Sequence, residues 1–284
     1  MTLVSRSRSR HRGFTLVELL VVLTIIGLLM AILVPTVFAV LYRAKNTQIS
    51  LQIASLSQSL EAYKLEAGDY PPNFHDWMTV KRHILKRWQQ LPAAQVNDFK
   101  KLCTGGFGSD TPPGMMEAKP IDPAEALVFW LGGQSTNGGL KANDVVPLSS
   151  GAGEPKSFFS FDQARFTDRD NDGWAEYPAP NCMNAPIVYF DARSYAYYYP
   201  TATQFDVGNI DGTARGVAKP SPKVVNPTAQ EGFVNPTTYQ IFASGQDGLF
   251  GTGGQVYPDG PYLGPERDNI TNFSEGKTLQ DAVP

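Results

Sequence analysis

A long apolar segment without charge dominates the N-terminal part of the chain. It covers residues 19–41, a run of 23 residues that contains no charged side chain. A helix rises about 1.5 Å per residue, so this run is long enough to cross the roughly 30 Å hydrocarbon core of a bilayer. The pattern predicts a membrane-spanning helix, and Pro35 inside it predicts a kink or a local loss of helix.

After Leu41 the chain becomes polar but keeps a helical period. Apolar residues recur at alternating spacings of four and three, which predicts one helix from Phe14 to Ala67 with a narrow apolar stripe facing a globular body. Gly68 and the following prolines end this helix. The members of the stripe are Ile49, Ile53, Leu56, Leu60, Tyr63 and Ala67.

The rest of the chain predicts an α+β body with a small antiparallel sheet, extra helices and long loops. An amphipathic helix is expected over 76–91, and a second one starts at Asp122 as N-cap and ends at Gly132-Gly133. Residues 200–236 are rich in Gly, Pro, Thr and Asn and predict a loop. Runs of β-branched and aromatic residues predict strands over 187–190, 195–199 and 239–243.

Charge is distributed unevenly. The formal net charge is −3, but the first 13 residues carry four arginines and no acid. The remainder therefore holds 20 basic and 27 acidic side chains, which argues against nucleic acid as a main partner. The positive-inside rule places the N-terminus in the cytoplasm and the rest of the chain outside it. These arginines are Arg6, Arg8, Arg10 and Arg12.

Glu18 does not fit a simple membrane anchor. It lies at the start of the apolar segment, where a carboxylate is costly unless a partner neutralises it. An acidic residue in this place therefore indicates a function, and that function requires a cationic partner.

Residues 13–20, Gly-Phe-Thr-Leu-Val-Glu-Leu-Leu, resemble the processing motif of type IV prepilins and type II secretion pseudopilins. The resemblance implies that a membrane peptidase cuts after Gly13 and methylates Phe14. It also implies that Glu18 pairs with the α-amino group of a neighbouring Phe14 during assembly, and that Pro35 is the helix-loosening proline of many relatives. The implied partners are other pilin or pseudopilin subunits, the prepilin peptidase and an inner-membrane assembly platform.

The resemblance also implies an organisation along the chain. Residues 1–13 would be a leader, 14–41 a transmembrane and polymerisation helix, 42–68 the amphipathic half of that helix, and 69–284 a periplasmic α+β domain. One alternative is a signal peptide cut near Ala39, although its apolar core would be unusually long and would contain a glutamate. Another is a membrane-tethered, calcium-dependent binding or enzymatic domain that does not polymerise.

Residues 167–173 have the Asp-x-Asp-x-Asp-Gly order of a calcium loop. Glu176 falls at the ninth position, but the twelfth is Ala179, which argues against an EF-hand. A looser loop that uses Asp162 or a distant acid remains open, as does an acidic surface turn whose aspartates cap their own backbone. The candidate ligands are Asp168, Asp170, Asp172 and Glu176.

A second calcium candidate comes from the C-terminal part. Residues 243–248 and 267–270 flank a glycine-rich excursion and together resemble the C-terminal segment of major pseudopilins, in which a loop binds calcium. The resemblance implies Asp247 and Asp268 as ligands, with Asn269 as a weaker one. Solvated turn aspartates are the alternative.

The remaining chemistry is sparse. Cys103 and Cys182 lie 79 positions apart and either form one disulfide or remain two separate thiols. The sequence contains no nucleophile elbow, phosphate-binding loop, dinucleotide fingerprint or zinc-hydrolase motif, which favours a structural protein over an enzyme. His83 lies between basic residues on a predicted helix and is expected at the surface.

Overall fold

The structure divides into two compact units, of which the first ends at Ala44 and the second spans Lys45–Pro284. The described part of the first unit is a single apolar helical segment, whereas the second has its own hydrophobic core. This computed structural model describes residues 14–104, 120–132, 157–170, 174–182, 184–199, 205–210, 213–227 and 229–284.

The first helix, α1, covers Leu16–Ala67 without interruption, within two residues of the prediction. It ends at Gly68, whose φ of 78° is the left-handed conformation that glycine adopts easily and whose N–H donates to the carbonyl of Lys64. Pro35 lies inside α1, and the helix continues through it. The predicted local loss of helix at Pro35 is therefore wrong.

The predicted stripe on α1 is confirmed, because all six of its members are at most 5% exposed. On the opposite side of the same helix Leu51 is 65% exposed and Leu65 is 89% exposed. The alternation of three and four in the sequence thus corresponds to one buried line of side chains along the helix.

The helices that follow α1 next in the described part of the chain are α2 at Trp77–Arg87, α3 at Ala93–Thr104 and α4 at Ala126–Leu131. Asp76 caps α2, and its carboxylate accepts hydrogen bonds from the N–H and the hydroxyl of Thr79, both at 2.8 Å. The helix stops at Arg87, earlier than predicted. Helix α3 was not predicted, and α4 begins later than predicted, since residues 123–125 form a turn.

The largest sheet has three antiparallel strands, β1 (Val188–Asp191), β6 (Tyr239–Ala243) and β7 (Ile270–Thr271), and β6 lies between the other two. Tyr189 on β1 pairs with Ile241 on β6, and Ala243 on β6 pairs with Ile270 on β7. The prediction of a continuous loop over 200–236 was incomplete, because two pairs of two-residue strands lie there. These four short strands are β2 (Phe205–Asp206), β3 (Asn209–Ile210), β4 (Thr213–Ala214) and β5 (Val217–Ala218). Strand β2 pairs with β5, and β3 pairs with β4.

The strand predicted over 195–199 is wrong, because Tyr195–Tyr198 forms a short helix, α5. A 3₁₀ turn at Ala192–Ser194 leads into it. Tyr195 and Tyr198 are buried three positions apart, while Tyr197 is 48% exposed. The burial therefore follows a helical spacing and not the alternation that a strand requires.

His83 is buried, contrary to the surface position that was predicted. Its Nε2 lies 2.8 Å from the hydroxyl of Tyr63, the two rings stack, and Trp130 meets the histidine ring edge-on. Loss of hydration on burial, together with the positive charge of Arg193, lowers the pKa of His83 to about 3. The imidazole is consequently neutral in the folded protein.

We expect the free energy of unfolding to fall as the pH drops from 6.5 towards 3. The unfolded chain protonates His83 near pH 6.5 whereas the folded protein does not, so acid favours the unfolded state. The contribution to the slope approaches about 1.4 kcal/mol per pH unit. Denaturant titrations at several pH values should show a smaller slope for His83→Gln than for the parent protein, and equal slopes would contradict the assignment.

Candidate functional site

The N-terminus of α1 is closed by a reciprocal pair of caps. The backbone N–H and the hydroxyl of Thr15 donate to Oε2 of Glu18 at 2.9 and 2.7 Å, and the N–H of Glu18 donates to the Thr15 hydroxyl at 3.2 Å. This is a capping box, in which Thr is the N-cap and Glu the third helical residue. This role of Thr15 and Glu18 was not predicted, although the Thr-x-x-Glu spacing is visible in the sequence.

The helix behind this cap presents apolar side chains on all sides. Every large apolar side chain between Phe14 and Leu41 is exposed in the isolated chain, with Phe14 itself 76% exposed. The hydroxyls of Thr24 and Thr36 donate to carbonyls of their own helix, so they present no unsatisfied donor. By length and composition this helix is able to cross a membrane. Water is a poor solvent for such a surface, which requires lipid or other apolar helices around it.

Only one of the two predicted processing residues lies within the described part of the chain. Phe14 is described, whereas Gly13 lies outside the described residues, as does the whole leader. Glu18 is the only charged residue between Phe14 and Leu41. Its hydrogen bonds from Thr15 both end on Oε2, so within the described chain Oε1 remains available for a second cation or donor.

The ligands predicted for the first calcium loop are not all brought together. Thr167 and Glu176 form an antiparallel bridge, with N–H to O distances between them of 3.1 and 2.8 Å. Glu176 is fully buried, and its Oε1 accepts from Nε of Arg169 at 2.5 Å. Its carboxylate therefore faces a guanidinium in the structure. Asp172 lies outside the described residues, and Asp162 caps the short 3₁₀ turn Gln163–Arg165.

Arg169 joins Glu176 to a residue far away in sequence. Its Nη2 lies 2.8 Å from Oδ2 of Asp122, and the guanidinium also donates to the carbonyl of Val207. Burial raises the pKa of Glu176 to about 8 and that of Asp122 to about 6, and the charge of Arg169 only partly offsets this. This network was not predicted from the sequence, because its members come from separate segments.

The second candidate site is assembled as predicted in one respect: Asp247 and Asp268 lie together. Oδ2 of Asp268 accepts from the backbone N–H groups of Gln246 and Asp247 at 2.8 and 3.2 Å, and Oδ1 of Asp247 accepts from Leu249 N–H at 2.8 Å. Gly245 is required here, because a Cβ on it would meet the Asp268 carboxyl carbon at 2.4 Å.

The charge and the free oxygen atoms of this carboxylate pair favour a cation between them. Burial raises the pKa of Asp247 to about 6, and the charge of Asp268 adds to the shift. Oδ1 of Asp268 and Oδ1 of Asn269 are both buried and accept no hydrogen bond from the described residues. Two adjacent carboxylates and an amide oxygen are a donor set of the kind that calcium prefers.

The two cysteines are not bridged. Cys103 is half-buried and Cys182 is buried, and both are free thiols. The disulfide that the sequence left open is therefore not formed, and the alternative of two separate thiols is the one observed. Burial raises the pKa of each to about 12, which makes both poor nucleophiles at neutral pH.

Comparisons with known proteins point to the same N-terminal feature. A family model described as the prokaryotic N-terminal methylation motif matches residues 8–34. The chain is 38% identical over 66 residues to the type II secretion system core protein G of Pectobacterium carotovorum, a match that covers 23% of this chain and 42% of that protein. Over this N-terminal segment the chain is similar to type II secretion pseudopilins and type IV pilins.

Other relatives of this pilin-like chain include both pseudopilins and pilins. The type II secretion system core protein G of Pseudomonas aeruginosa is 39% identical over 64 residues, which is 22% of this chain and 45% of that protein. The type IV wide pilus major component PilA4 of Thermus thermophilus is 36% identical over 62 residues, or 22% of this chain and 47% of the relative. The chain thus spans less than half of the length of these relatives. No solved structure matches it.

Proposed function

We propose that this protein is a structural subunit of a type IV pilin-like filament and, within that class, a type II secretion pseudopilin. The observation that carries the proposal is the methylation motif over residues 8–34, which overlaps the capped start of α1 and a part of the helix whose large apolar side chains are all exposed. Such a helix needs apolar surroundings, and packed helices of other copies supply them as well as lipid does. The subunit would act as a building block and not as a catalyst.

Processing would precede assembly. The prepilin peptidase would cut after Gly13 and methylate the new N-terminus at Phe14, as the motif implies. The four leader arginines favour a cytoplasmic N-terminus, so the body would reach the periplasm with α1 anchored in the inner membrane. An inner-membrane assembly platform would then draw subunits into the filament.

Glu18 would set the axial register between subunits. The capping box fixes the side chain at the first turn of α1 and leaves Oε1 for the α-amino group of a neighbouring Phe14. A charge pair in apolar surroundings is strongly favoured over two stranded charges. Only one relative position of two helices brings these groups together, which makes the pair a means of alignment.

The first prediction concerns processing. The mature protein recovered from membranes should begin at an N-methylated Phe14, and its intact mass and N-terminal fragment spectrum will show this. A protein that starts near Val40 would instead be a secreted product of signal peptidase. A chain that retains Met1 would favour a simple anchor over a filament subunit.

The second prediction separates the charge of Glu18 from its capping role. Glu18→Gln retains a side chain able to close the capping box but removes the charge, whereas Glu18→Ala removes both. If the charge pair aligns subunits, both variants should be cut normally yet be absent from sheared filaments. Immunoblots of the filament and membrane fractions measure this, with the intact mass as the control for cleavage.

Two outcomes would contradict this role. Normal incorporation of Glu18→Ala into filaments would show that assembly does not require Glu18 and would remove the alignment role proposed for it. Normal incorporation of Glu18→Gln together with loss of Glu18→Ala would show that Glu18 serves only as a helix cap.

We also propose that the C-terminal pair Asp247 and Asp268 binds calcium. The support is the adjacency of the two carboxylates and the buried Oδ1 of Asp268, which accepts no hydrogen bond from the described residues. The remaining ligands would be Asn269 and backbone carbonyls, in keeping with the oxygen-only preference of this ion. Bound calcium would neutralise the repulsion between the carboxylates and hold the loop against β7.

The third prediction tests this site by stability. Calcium that binds only the folded protein should raise the melting temperature, by the equivalent of about 2.7 kcal/mol at a free concentration a hundred times the Kd. The rise should be smaller for Asp268→Asn than for Asp259→Asn, a matched change at an exposed aspartate. Equal rises in the two variants would exclude Asp268 as a ligand.

A further inference from the structure

The charge of α2 and α3 is opposite to that of the larger part of the body. Residues 77–104, termed the basic hairpin, contain six basic side chains and one acidic side chain. Residues 157–284 contain 8 basic and 15 acidic side chains, so their formal charge is −7, against +5 for the basic hairpin. One chain therefore carries two regions of opposite sign. The bases of the hairpin are Lys81, Arg82, Lys86, Arg87, Lys100 and Lys101.

Three of these bases bind groups of their own chain, and two of them attach the hairpin to α1. Nη2 of Arg87 lies 3.7 Å from Oε1 of Glu66, and Nζ of Lys86 donates to the carbonyl of Gly68 at 2.7 Å. Nζ of Lys101 lies 3.3 Å from the acidic side chain of the hairpin. These contacts hold the basic hairpin at the end of α1.

The other three bases are not neutralised by the described residues. None of Lys81, Arg82 and Lys100 lies within ion-pair distance of a described carboxylate. Arg82 and Lys100 are exposed, and Lys81 is half-buried. Three such cations on one small element favour a partner that supplies negative charge.

The outward side of α2 combines a cation with apolar side chains. Met78 is 66% exposed and Leu85 is 38% exposed, and Arg82 lies between them at helical spacings of four and three. These spacings place the three side chains on one face of α2, opposite the buried Val80 and Ile84. Methionine and arginine are enriched at protein interfaces, so this face favours a protein as the partner over a nucleic acid.

A lipid surface does not fit the position of the hairpin. Lys86 contacts Gly68, which follows the end of α1 and lies 23 positions after Lys45, the first residue of the second unit. At about 1.5 Å per residue, this separation is about 35 Å along the helix. The basic hairpin therefore packs at the end of α1 that is remote along the helix from the apolar segment.

We propose that the basic hairpin binds the acid-rich part, residues 157–284, of a second copy of this chain. The described residues of that part include six exposed acids against three exposed bases. Opposite charges steer two surfaces together and suppress wrong pairings. The exposed acids are Asp162, Asp206, Glu231, Asp259, Glu275 and Asp281.

The symmetry of a filament supports this choice of partner, and the inference rests on the filament proposal. A filament needs a heterologous contact, which joins two different surfaces of the same chain, because contact of one surface with itself closes a dimer. Two basic hairpins repel each other, whereas a hairpin and the acid-rich part attract. The charge distribution therefore disfavours the closed dimer and favours open growth.

Carbodiimide cross-linking of sheared filaments tests the contact, because the reagent joins an amine to a carboxylate that lies against it. Cells are shifted from light to heavy nitrogen before assembly is induced, so that each filament contains both forms. Cross-linked peptides of mixed label then come from two copies, and mass spectrometry identifies their residues. We expect mixed-label links from Lys81 or Lys100 to carboxylates within 157–284.

Charge reversal tests whether assembly depends on this contact. Arg82→Glu should lower the ratio of filament to membrane-bound subunit several-fold, because it places an acid against the acid-rich part. Lys223→Glu, at an exposed lysine outside the hairpin, is the matched control and should assemble at least as well as the parent. The amount and intact mass of each variant in the membrane check that it is stable and correctly cut.

Failure of this inference is distinguishable from failure of the filament proposal. Parent filaments without mixed-label links from either Lys81 or Lys100 to the acid-rich part would overturn the inference alone, as would links only to a different protein. Normal assembly of Arg82→Glu would also overturn it. A parent that forms no filaments would overturn both proposals.

Discussion

The body depends on the burial of one line of side chains on α1. The stripe from Ile49 to Ala67 is shielded from water over its whole length, and Tyr63 at its centre contacts His83, Trp130 and Phe158. The hydroxyl of Tyr239 on β6 donates to the carbonyl of Ser57, so the sheet meets the same helix from another direction. A large apolar area removed from water and a few polar contacts at its margin therefore determine where both helices and strands lie.

This dependence explains which parts of the fold the sequence predicts. Burial along α1 follows a regular period over many turns, so the pattern identifies the helix, its buried side and its end at Gly68. The body lacks such regularity. His83 lies between basic residues in sequence but turns inward because Tyr63 offers a hydrogen-bond partner, and the tyrosines of α5 have a strand-like composition but a helical spacing. Tertiary contacts overrode local preference in both cases.

The candidate sites also divide into one that a single stretch of sequence contains and others that only the fold brings together. The processing motif and its capping box are local, with all members within eight residues, and a single stretch of sequence contains them. The carboxylates of Asp122, Glu125 and Asp170 come from separate segments. They lie close together only once the sheet and α4 are in place. Glu176 shows the limit of reasoning from spacing. It holds a ligand-like position in the loop, yet Arg169 binds its carboxylate. Spacing along the sequence shows which carboxylates could act as ligands. It does not show which cation, here the guanidinium of Arg169, pairs with each of them in the folded protein.

Glu18 illustrates how one residue can serve a subunit before and after assembly. A carboxylate at the edge of an apolar helix is costly in the unassembled subunit, because no cation pairs with Glu18 among the described residues. The capping box lowers that cost, since Glu18 satisfies the exposed N–H of Thr15 and the hydroxyl beside it. Under the filament proposal, Oε1 then accepts the α-amino group of the next subunit without breaking these bonds. The cap therefore stabilises the unassembled subunit only modestly, and the charge pair formed on assembly adds to this stabilisation. Assembly does not first have to break a competing interaction of Glu18.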